Sequence, residues 1–157
     1  MNTTIRYWLM KSEPEVYSID NLAKDKTTLW EGVRNYQARN FMINDMQIGD
    51  QVLFYHSNAT PSGISGIAMV SGLAQPDPSA FDKKSEYYEP KATQEKPIWF
   101  CVQIKFVKKF NNFVSLDSLR KEQKLQSMLV LKKGQRLSIQ PVTKEEFTLI
   151  NLLGNKG

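Results

Sequence analysis

Residues 30–40 read Trp30-Glu31-Gly32-Val33-Arg34-Asn35-Tyr36-Gln37-Ala38-Arg39-Asn40. These eleven residues contain an indole, a phenol, two guanidiniums and three amides, more than the first turn of an amphipathic helix requires. Flat aromatic rings beside forked donors are the groups with which proteins hold a planar, hydrogen-bonding ligand such as a nucleobase. We therefore expect the rest of the chain to form a scaffold and walls around this stretch.

Length and composition indicate one domain over residues 1–157. The chain has 157 residues, of which 41% are apolar and 11% aromatic, enough for a core without disulfides or a metal. The lone cysteine, Cys101, lies in an apolar run without a basic neighbour, which favours a buried thiol in a reducing cytoplasm over a nucleophile. We expect no signal peptide and no membrane span. The net charge of +5 is compatible with a polyanionic partner.

Outward from residues 30–40, the apolar patterns alternate between strands and short helices. Helices are expected after the capping residues Ser18, Asn35, Ser115 and Thr143. A long polar segment, Gln75–Pro97, interrupts them. Strands are predicted over Ile5–Met10, Gln51–Ser57, Ile64–Leu73, Ile98–Phe110 and Arg136–Gln140, with bends or bulges at Gly66 and Gly72. Five or six strands and three or four short helices in mixed order favour an α+β fold on a small bent sheet or barrel.

Polar residues follow three of the apolar strands. Lys11-Ser12, His56-Ser57 and Arg136-Leu137-Ser138 stand at strand ends, and such ends converge on one mouth if the strands share a sheet. The segment Trp30–Asn35 would then supply a floor or cover. The result would be a cleft with an aromatic plate, several neutral hydroxyl and amide groups, and one or two guanidiniums.

Simpler interpretations stand beside these. Trp30 is either a core residue or a ligand platform, and Asn35 is an N-cap that could still contact a ligand. His56 is the single histidine, so a metal site is not expected, and without an acidic neighbour it is better suited to hydrogen bonding than to catalysis. Glu13 and Glu31 are a conceivable acid/base pair. Motifs for nucleotide hydrolysis, dinucleotide binding and serine hydrolysis are absent from the sequence, and we expect no cofactor.

The ordered motifs of the chain resemble the EVE domain family. They are residues 7–14 (Tyr-Trp-Leu-Met-Lys-Ser-Glu-Pro), residues 30–40, Gly49-Asp50 with Phe54-Tyr55-His56-Ser57, and residues 136–142 (Arg-Leu-Ser-Ile-Gln-Pro-Val). Together they cover nearly the whole chain, and Asp77-Pro78 also fits.

This resemblance implies a fold, a ligand and a set of site residues. The fold would be PUA-like, a bent pseudo-barrel of five or six strands flanked by short helices and related to YTH and ASCH domains. The implied ligand is a modified nucleobase, chiefly a modified cytosine in DNA, with modified RNA as the other partner. We expect a cytoplasmic monomer. The implied ligand-binding residues are Ser12, Trp30, Val33, Arg34, Asn35, His56, Ser57, Arg136 and Ser138, with Tyr87 or Tyr88 closing the cage.

Three functional hypotheses follow. The first is a non-catalytic reader of modified bases, with no catalytic residue. The second is an enzyme on the same fold, in which His56 or Glu31 acts on a nucleic acid or nucleoside. The third is a protein-interaction module with a vestigial pocket and the Gln75–Pro97 segment as its contact surface. A deep pocket lined by Trp30 would favour the first, and a pocket filled by the protein's own side chains would favour the third.

Overall fold

Six strands form one mixed sheet in the order β2-β5-β4-β3-β1-β6. The structure, a computed structural model, describes residues 4–156. The strands β1 and β3 are parallel, and every other neighbouring pair in this sheet is antiparallel. The strands are β1 Tyr7–Ser12, β2 Thr27–Leu29, β3 Gln51–His56, β4 Gly63–Pro76, β5 Phe100–Ser115 and β6 Ile139–Val142.

Four short α-helices flank the sheet, and the residues that cap them are local sequence signals. They are α1 Ile19–Asp25, α2 Tyr36–Asn40, α3 Leu116–Lys121 and α4 Lys144–Gly154. Ser18 and Thr143 form reciprocal capping boxes with Asn21 and Glu146. Each such cap stabilises its helix by about 1 kcal/mol because it satisfies otherwise unpaired N–H groups. All four expected helix starts, including those at Asn35 and Ser115, are confirmed.

The long pair β4 and β5 bends the sheet. Its register shifts at several points, among them between Ile64 and Gly66 and between Val70 and Gly72. A Cβ at Gly66 would collide with the carbonyl oxygen of Lys108, so only glycine allows this approach of the two backbones. The bends expected at Gly66 and Gly72 are confirmed, and with them the α+β fold on a bent six-stranded sheet.

Both faces of the sheet are buried under apolar side chains. Strand residues alternate between faces: Trp8 and Phe54 belong to one buried cluster, whereas Leu9 and Leu53 belong to the other. The first cluster also contains Trp30. Burying one such large side chain stabilises the fold by about 1.5–3 kcal/mol.

Several strand bounds differ from the sequence prediction: β1 lies over Tyr7–Ser12, β4 extends to Pro76 and β5 to Ser115. β6 and β2 differ most. β6 begins at Ile139, not Arg136, and it runs through Pro141. Since β6 is an edge strand, the missing N–H of proline costs no ladder hydrogen bond. Residues 136–138 are therefore irregular. The three-residue β2, which pairs with β5, was not predicted because so short a run carries no periodicity.

Candidate functional site

A cleft of about 860 Å³ opens where β1 and β3 end. That volume lies within the range of about 300–1,000 Å³ that small-molecule sites occupy. Three further segments complete its walls: residues 28–34, residues 135–138 and the side chain of Tyr87. The lining residues are Lys11, Ser12, Glu13, Val16, Tyr17, Thr28, Leu29, Trp30, Glu31, Gly32, Val33, Arg34, Ser57, Asn58, Tyr87, Gln135, Arg136 and Ser138.

Trp30 lies at the boundary between the core and the cleft. Its ring meets Phe54 edge-to-face at 5.6 Å, and only 8% of the residue is exposed. Its backbone N–H donates to the carbonyl of Val102 at 2.8 Å, which continues the pairing of β2 with β5. Because Trp30 also lines the cleft, the structure combines the two interpretations that the sequence left open.

A buried carboxylate holds the segment behind Trp30 in place. Asp77 is fully buried and accepts hydrogen bonds from the Gly32 N–H at 2.9 Å and from Arg34 Nη1 at 3.0 Å. It also accepts from the backbone N–H and the hydroxyl of Ser79, at 2.8 Å and 2.6 Å. Burial by itself would raise the pKa of Asp77, but the hydrogen bonds from Ser79, Gly32 and Arg34 outweigh burial and lower it.

Arg34 links the Asp77 carboxylate to Tyr87 at the rim of the cleft. Its Nη2 donates to the carbonyl of Tyr87 at 2.7 Å. The guanidinium carbon lies 5.3 Å from the centre of the Tyr87 ring and 5.2 Å from that of Trp99. The Tyr87 ring in turn covers Gly32, where a Cβ would lie 2.7 Å from Cε2 of Tyr87. Gly32 has a φ of +86°, so both its backbone and its lack of a side chain suit this contact.

The ends of β1 and β3 contribute hydroxyl, amide and carboxylate side chains and backbone groups to the lining. The Ser12 hydroxyl donates to the carbonyl of Tyr17 at 2.6 Å, so its proton is already committed. The Ser57 N–H donates to the carbonyl of Ser12 at 3.0 Å, which joins the ends of β1 and β3. Asn58 Nδ2 donates to the Glu13 carboxylate at 3.1 Å.

The charged residues of the lining are mixed in sign. Lys11 Nζ donates to the carbonyl of Gln135 at 3.3 Å, and burial lowers the pKa of Lys11. Burial and the nearby Asp77 raise the pKa of Glu31, while Arg34 opposes them. Arg136 is exposed at the cleft. It lies on the irregular stretch before β6, and that position frees its side chain from the sheet.

Three of the expected site residues lie outside the cleft lining in the part of the chain that the structure describes. His56 Nε2 lies 3.2 Å from both the Ile19 nitrogen and the Ser65 hydroxyl oxygen, at the start of α1. The Asn35 side chain caps α2 by accepting from the Ala38 N–H at 2.9 Å. Tyr88 follows Tyr87 but does not join the rim. The other eight line the cleft together: Ser12, Trp30, Val33, Arg34, Ser57, Tyr87, Arg136 and Ser138.

Several residues of the site were not anticipated. Asp77 is the most important, because it fixes Gly32 and Arg34 at once. The run Asp77-Pro78-Ser79 carries a local signal, since Asp before Pro-Ser is typical of a turn in which the carboxylate caps the next N–H. Gln135, Asn58 and Tyr17 had no comparable signal, because each reaches the cleft only through the folding of distant segments.

Two further observations concern membranes and metals. None of the helices within residues 4–156 is long and apolar enough to cross a bilayer. Over the same residues, His, Cys, Asp and Glu side chains nowhere form a group of three or more suited to hold a metal ion.

The fold and the cleft define a small α+β domain with an open cleft beside a buried indole. Residues 6–153 match the EVE domain, and the chain belongs to this family, as its motifs indicated. Thymocyte nuclear protein 1 of Homo sapiens is 38% identical over an alignment of 168 positions, which covers 96% of this chain and 74% of the human protein.

Solved structures show the same fold. A hypothetical protein from Leishmania major has a TM-score of 0.90 and 48% identity, covering 96% of this chain and 95% of that chain. The human THYN1 protein, solved in complex with DNA that contains 5-methylcytosine, has a TM-score of 0.88 and 39% identity. This match covers 97% of this chain and 99% of the human chain.

Proposed function

We propose that this protein is a non-catalytic reader that binds a modified nucleobase, chiefly a modified cytosine of DNA, in the cleft beside Trp30. The observation that carries the proposal is an open cleft of about 860 Å³ lined by a buried indole. Such a site has room for one heterocycle removed from its stack. The similarity to a human protein solved with 5-methylcytosine DNA supports this choice of ligand.

The lining supplies the groups that base recognition needs. Hydroxyl and amide groups of Ser57, Asn58, Gln135 and Ser138 can donate to and accept from the edge of a base. Stacking or apolar contact contributes about 1–3 kcal/mol per base, and extruding a base from a duplex costs a few kcal/mol. Since these terms nearly cancel, the contacts to a modification and to the backbone phosphates decide whether binding occurs.

The two other hypotheses receive less support from the geometry. For an enzyme, His56 or Glu31 would have to act on the ligand. The Nε2 of His56 faces Ile19 and Ser65, so this alternative depends on Glu31, which lines the cleft. For an interaction module with a vestigial pocket, the cleft would have to be filled by the protein itself. Within residues 4–156 it is open, and Tyr87 from the long polar segment forms part of its rim.

The test is a binding comparison with two matched tryptophan variants. Trp30 and Trp8 belong to the same buried cluster, but only Trp30 lines the cleft in the described chain. We would titrate single-stranded and duplex DNA, each with one 5-methylcytosine or one cytosine at the same position, and the corresponding RNAs, by fluorescence anisotropy. Free 5-methyl-2′-deoxycytidine would serve as competitor.

Trp30→Leu should weaken binding of the methylated DNA by about 5- to 150-fold, the equivalent of one lost stack. Trp8→Leu also removes the hydrogen bond from Nε1 to the buried carboxylate of Asp50 at 2.9 Å. It should lower the melting temperature at least as much as Trp30→Leu while leaving the dissociation constant unchanged. Equal affinity for methylated and unmethylated strands would contradict the proposal, as would equal loss of binding in both variants. Stronger binding of the methylated RNA would move the assignment from DNA to RNA.

A further inference from the structure

A series of three aromatic rings and one guanidinium leads away from the cleft. We refer to Tyr87, Arg34, Trp99 and Tyr36 as the aromatic ladder. Arg34 lies between the rings of Tyr87 and Trp99, at 5.3 Å and 5.2 Å, and Trp99 stacks on Tyr36 at 4.9 Å with an interplanar angle of 22°. The ladder thus connects the rim of the cleft, at Tyr87, with a surface residue, Tyr36.

One face of the Tyr36 ring is open to solvent. Tyr36 is 60% exposed, although Trp99 covers one side of it. The Arg39 guanidinium carbon lies 4.8 Å from the centre of the Tyr36 ring and 5.9 Å from that of Trp99. Directly across Tyr36 from Trp99 it would lie about 10 Å from the Trp99 ring, so Arg39 lies toward the Trp99 side of Tyr36 and leaves the outer face free.

The neighbours of Tyr36 are held before any ligand arrives. Trp99 is 6% exposed and its Nε1 donates to the Glu89 carboxylate at 3.0 Å. Arg39 donates to the carbonyl of Ile98 at 2.9 Å and to the side-chain oxygen of Asn40 at 2.9 Å. A ring supported in this way loses little conformational freedom when something stacks on it.

The charge at this place also points to a polyanion. The guanidinium of Arg34 is paired with Asp77 at 3.0 Å. Arg39 contacts only neutral oxygens and rings, and over residues 4–156 it has no ion pair with a carboxylate. Its positive charge therefore remains available beside the open ring of Tyr36.

We infer that the outer face of Tyr36 stacks the base of a nucleotide that neighbours the one held in the cleft, with Arg39 beside the backbone phosphate. An exposed aromatic ring next to a guanidinium is the arrangement with which proteins bind successive bases without reading their sequence. Continuity with the rim through Arg34 and Tyr87 places this platform along the path of the same strand. The inference rests on the proposed function.

The test combines a protein variant with an altered strand. Anisotropy titrations would use single-stranded DNA with one 5-methylcytosine, in which each flanking base is replaced in turn by an abasic site. For the wild type, one such replacement should weaken binding by about 5- to 150-fold. Tyr36→Ala should weaken binding of the intact strand to the same degree and be insensitive to that replacement, whereas Tyr36→Phe should bind as the wild type does.

Phe113→Ala provides the matched control, because Phe113 is also an exposed aromatic residue, at 36%, and lies outside the ladder and the cleft lining. It should leave every titration unchanged. The inference is wrong if the effects of Tyr36→Ala and of the abasic replacements are independent, or if Tyr36→Ala binds like the wild type. In either case a preference of the wild type for methylated DNA would still support the proposed function. Loss of that preference in the wild type would instead contradict the proposed function.

Discussion

Replacing Asp77 by asparagine should break the hydrogen bonds that hold Gly32 and Arg34 with almost no change in side-chain volume. The four hydrogen bonds of the Asp77 carboxylate divide between its two oxygens: one accepts from Ser79, the other from Gly32 and Arg34. Asparagine keeps one oxygen and presents an NH₂ group in place of the other. If the oxygen stays with Ser79, the NH₂ group faces the Gly32 N–H and the Arg34 guanidinium, which are donors themselves.

The expected loss follows from the burial of the two partners. Removing one partner of a fully buried ion pair costs about 3–5 kcal/mol, and an unsatisfied buried N–H costs about 1–3 kcal/mol. The side chain of Asp77 is 0% exposed but that of Arg34 is 22% exposed, so water can hydrate the guanidinium in part. We therefore expect Asp77→Asn to lower the free energy of unfolding by about 2–4 kcal/mol, short of unfolding a domain of ordinary stability.

The pH dependence of the unfolding free energy tests whether the Asp77 carboxylate is responsible for this loss of stability. The pKa of Asp77 in the folded protein is lowered below its ordinary value of 3.8. Its stabilising contribution is thus complete above that value and is lost as the pH falls through the folded pKa. The difference in unfolding free energy between wild type and Asp77→Asn should be constant near about pH 7 and shrink toward about pH 3.

Denaturation by guanidinium chloride at both pH values measures this difference. The control is Asp20→Asn, which removes an ion pair between Asp20 and Lys109, whose side chains are 67% and 56% exposed. Such an exposed pair contributes about 0–1 kcal/mol. A loss in Asp77→Asn no larger than in the control would refute the reasoning, and so would a difference that does not change with pH.

Three further changes have defined outcomes. Gly32 has a φ of +86°, and the Tyr87 ring lies where a Cβ would stand. Gly32→Ala should therefore lower the free energy of unfolding, measured in urea, by about 1–2 kcal/mol, and adding Tyr87→Ala should recover part of that loss. An unchanged midpoint would exclude the strain. Thr143→Ala removes the cap that accepts from the Glu146 N–H at 3.1 Å and should cost about 1 kcal/mol by thermal unfolding; no shift would show that the cap contributes nothing. Burial, together with the negative charges of Asp77 and Glu31, raises the pKa of Cys101 to about 12. Mass spectrometry should therefore show that iodoacetamide alkylates Cys101 in denaturant but not in the native protein. Rapid labelling of the native protein would contradict this.

Features fixed by neighbouring residues could be predicted from the sequence. The caps at Ser18 and Thr143 act over three residues, and the bulge at Gly66 follows from a glycine inside an apolar strand. The prediction ended β6 at Gln140 because a proline follows, although an edge position tolerates Pro141 within the strand. Whether a strand lies at an edge depends on the order of the whole sheet, and no local pattern encodes that order.

The residues of the candidate site likewise include some that a local pattern predicted and some that it did not. Trp30 and Arg34 were recognisable because they lie in a dense cluster of aromatic and guanidinium groups. The partner of Arg34, Asp77, lies 43 residues away, and only the bend of β4 and β5 brings the two together. His56 had the polar character expected of a site residue, but the start of α1 lies against its ring. Its role in binding, like that of Asn35, stays a prediction.

The position of β1 between β3 and β6 has a consequence for biosynthesis. The Lys11 N–H donates to the carbonyl of Ser138 at 2.9 Å, so β1 pairs with a segment that is translated long after it. Chains grow at about 5–20 residues per second, and until Ile139–Val142 emerge the nascent chain exposes an unpaired edge of β1. A polypeptide stalled before residue 135 would already carry Trp30 yet lack the part of the cleft lining that Gln135, Arg136 and Ser138 supply.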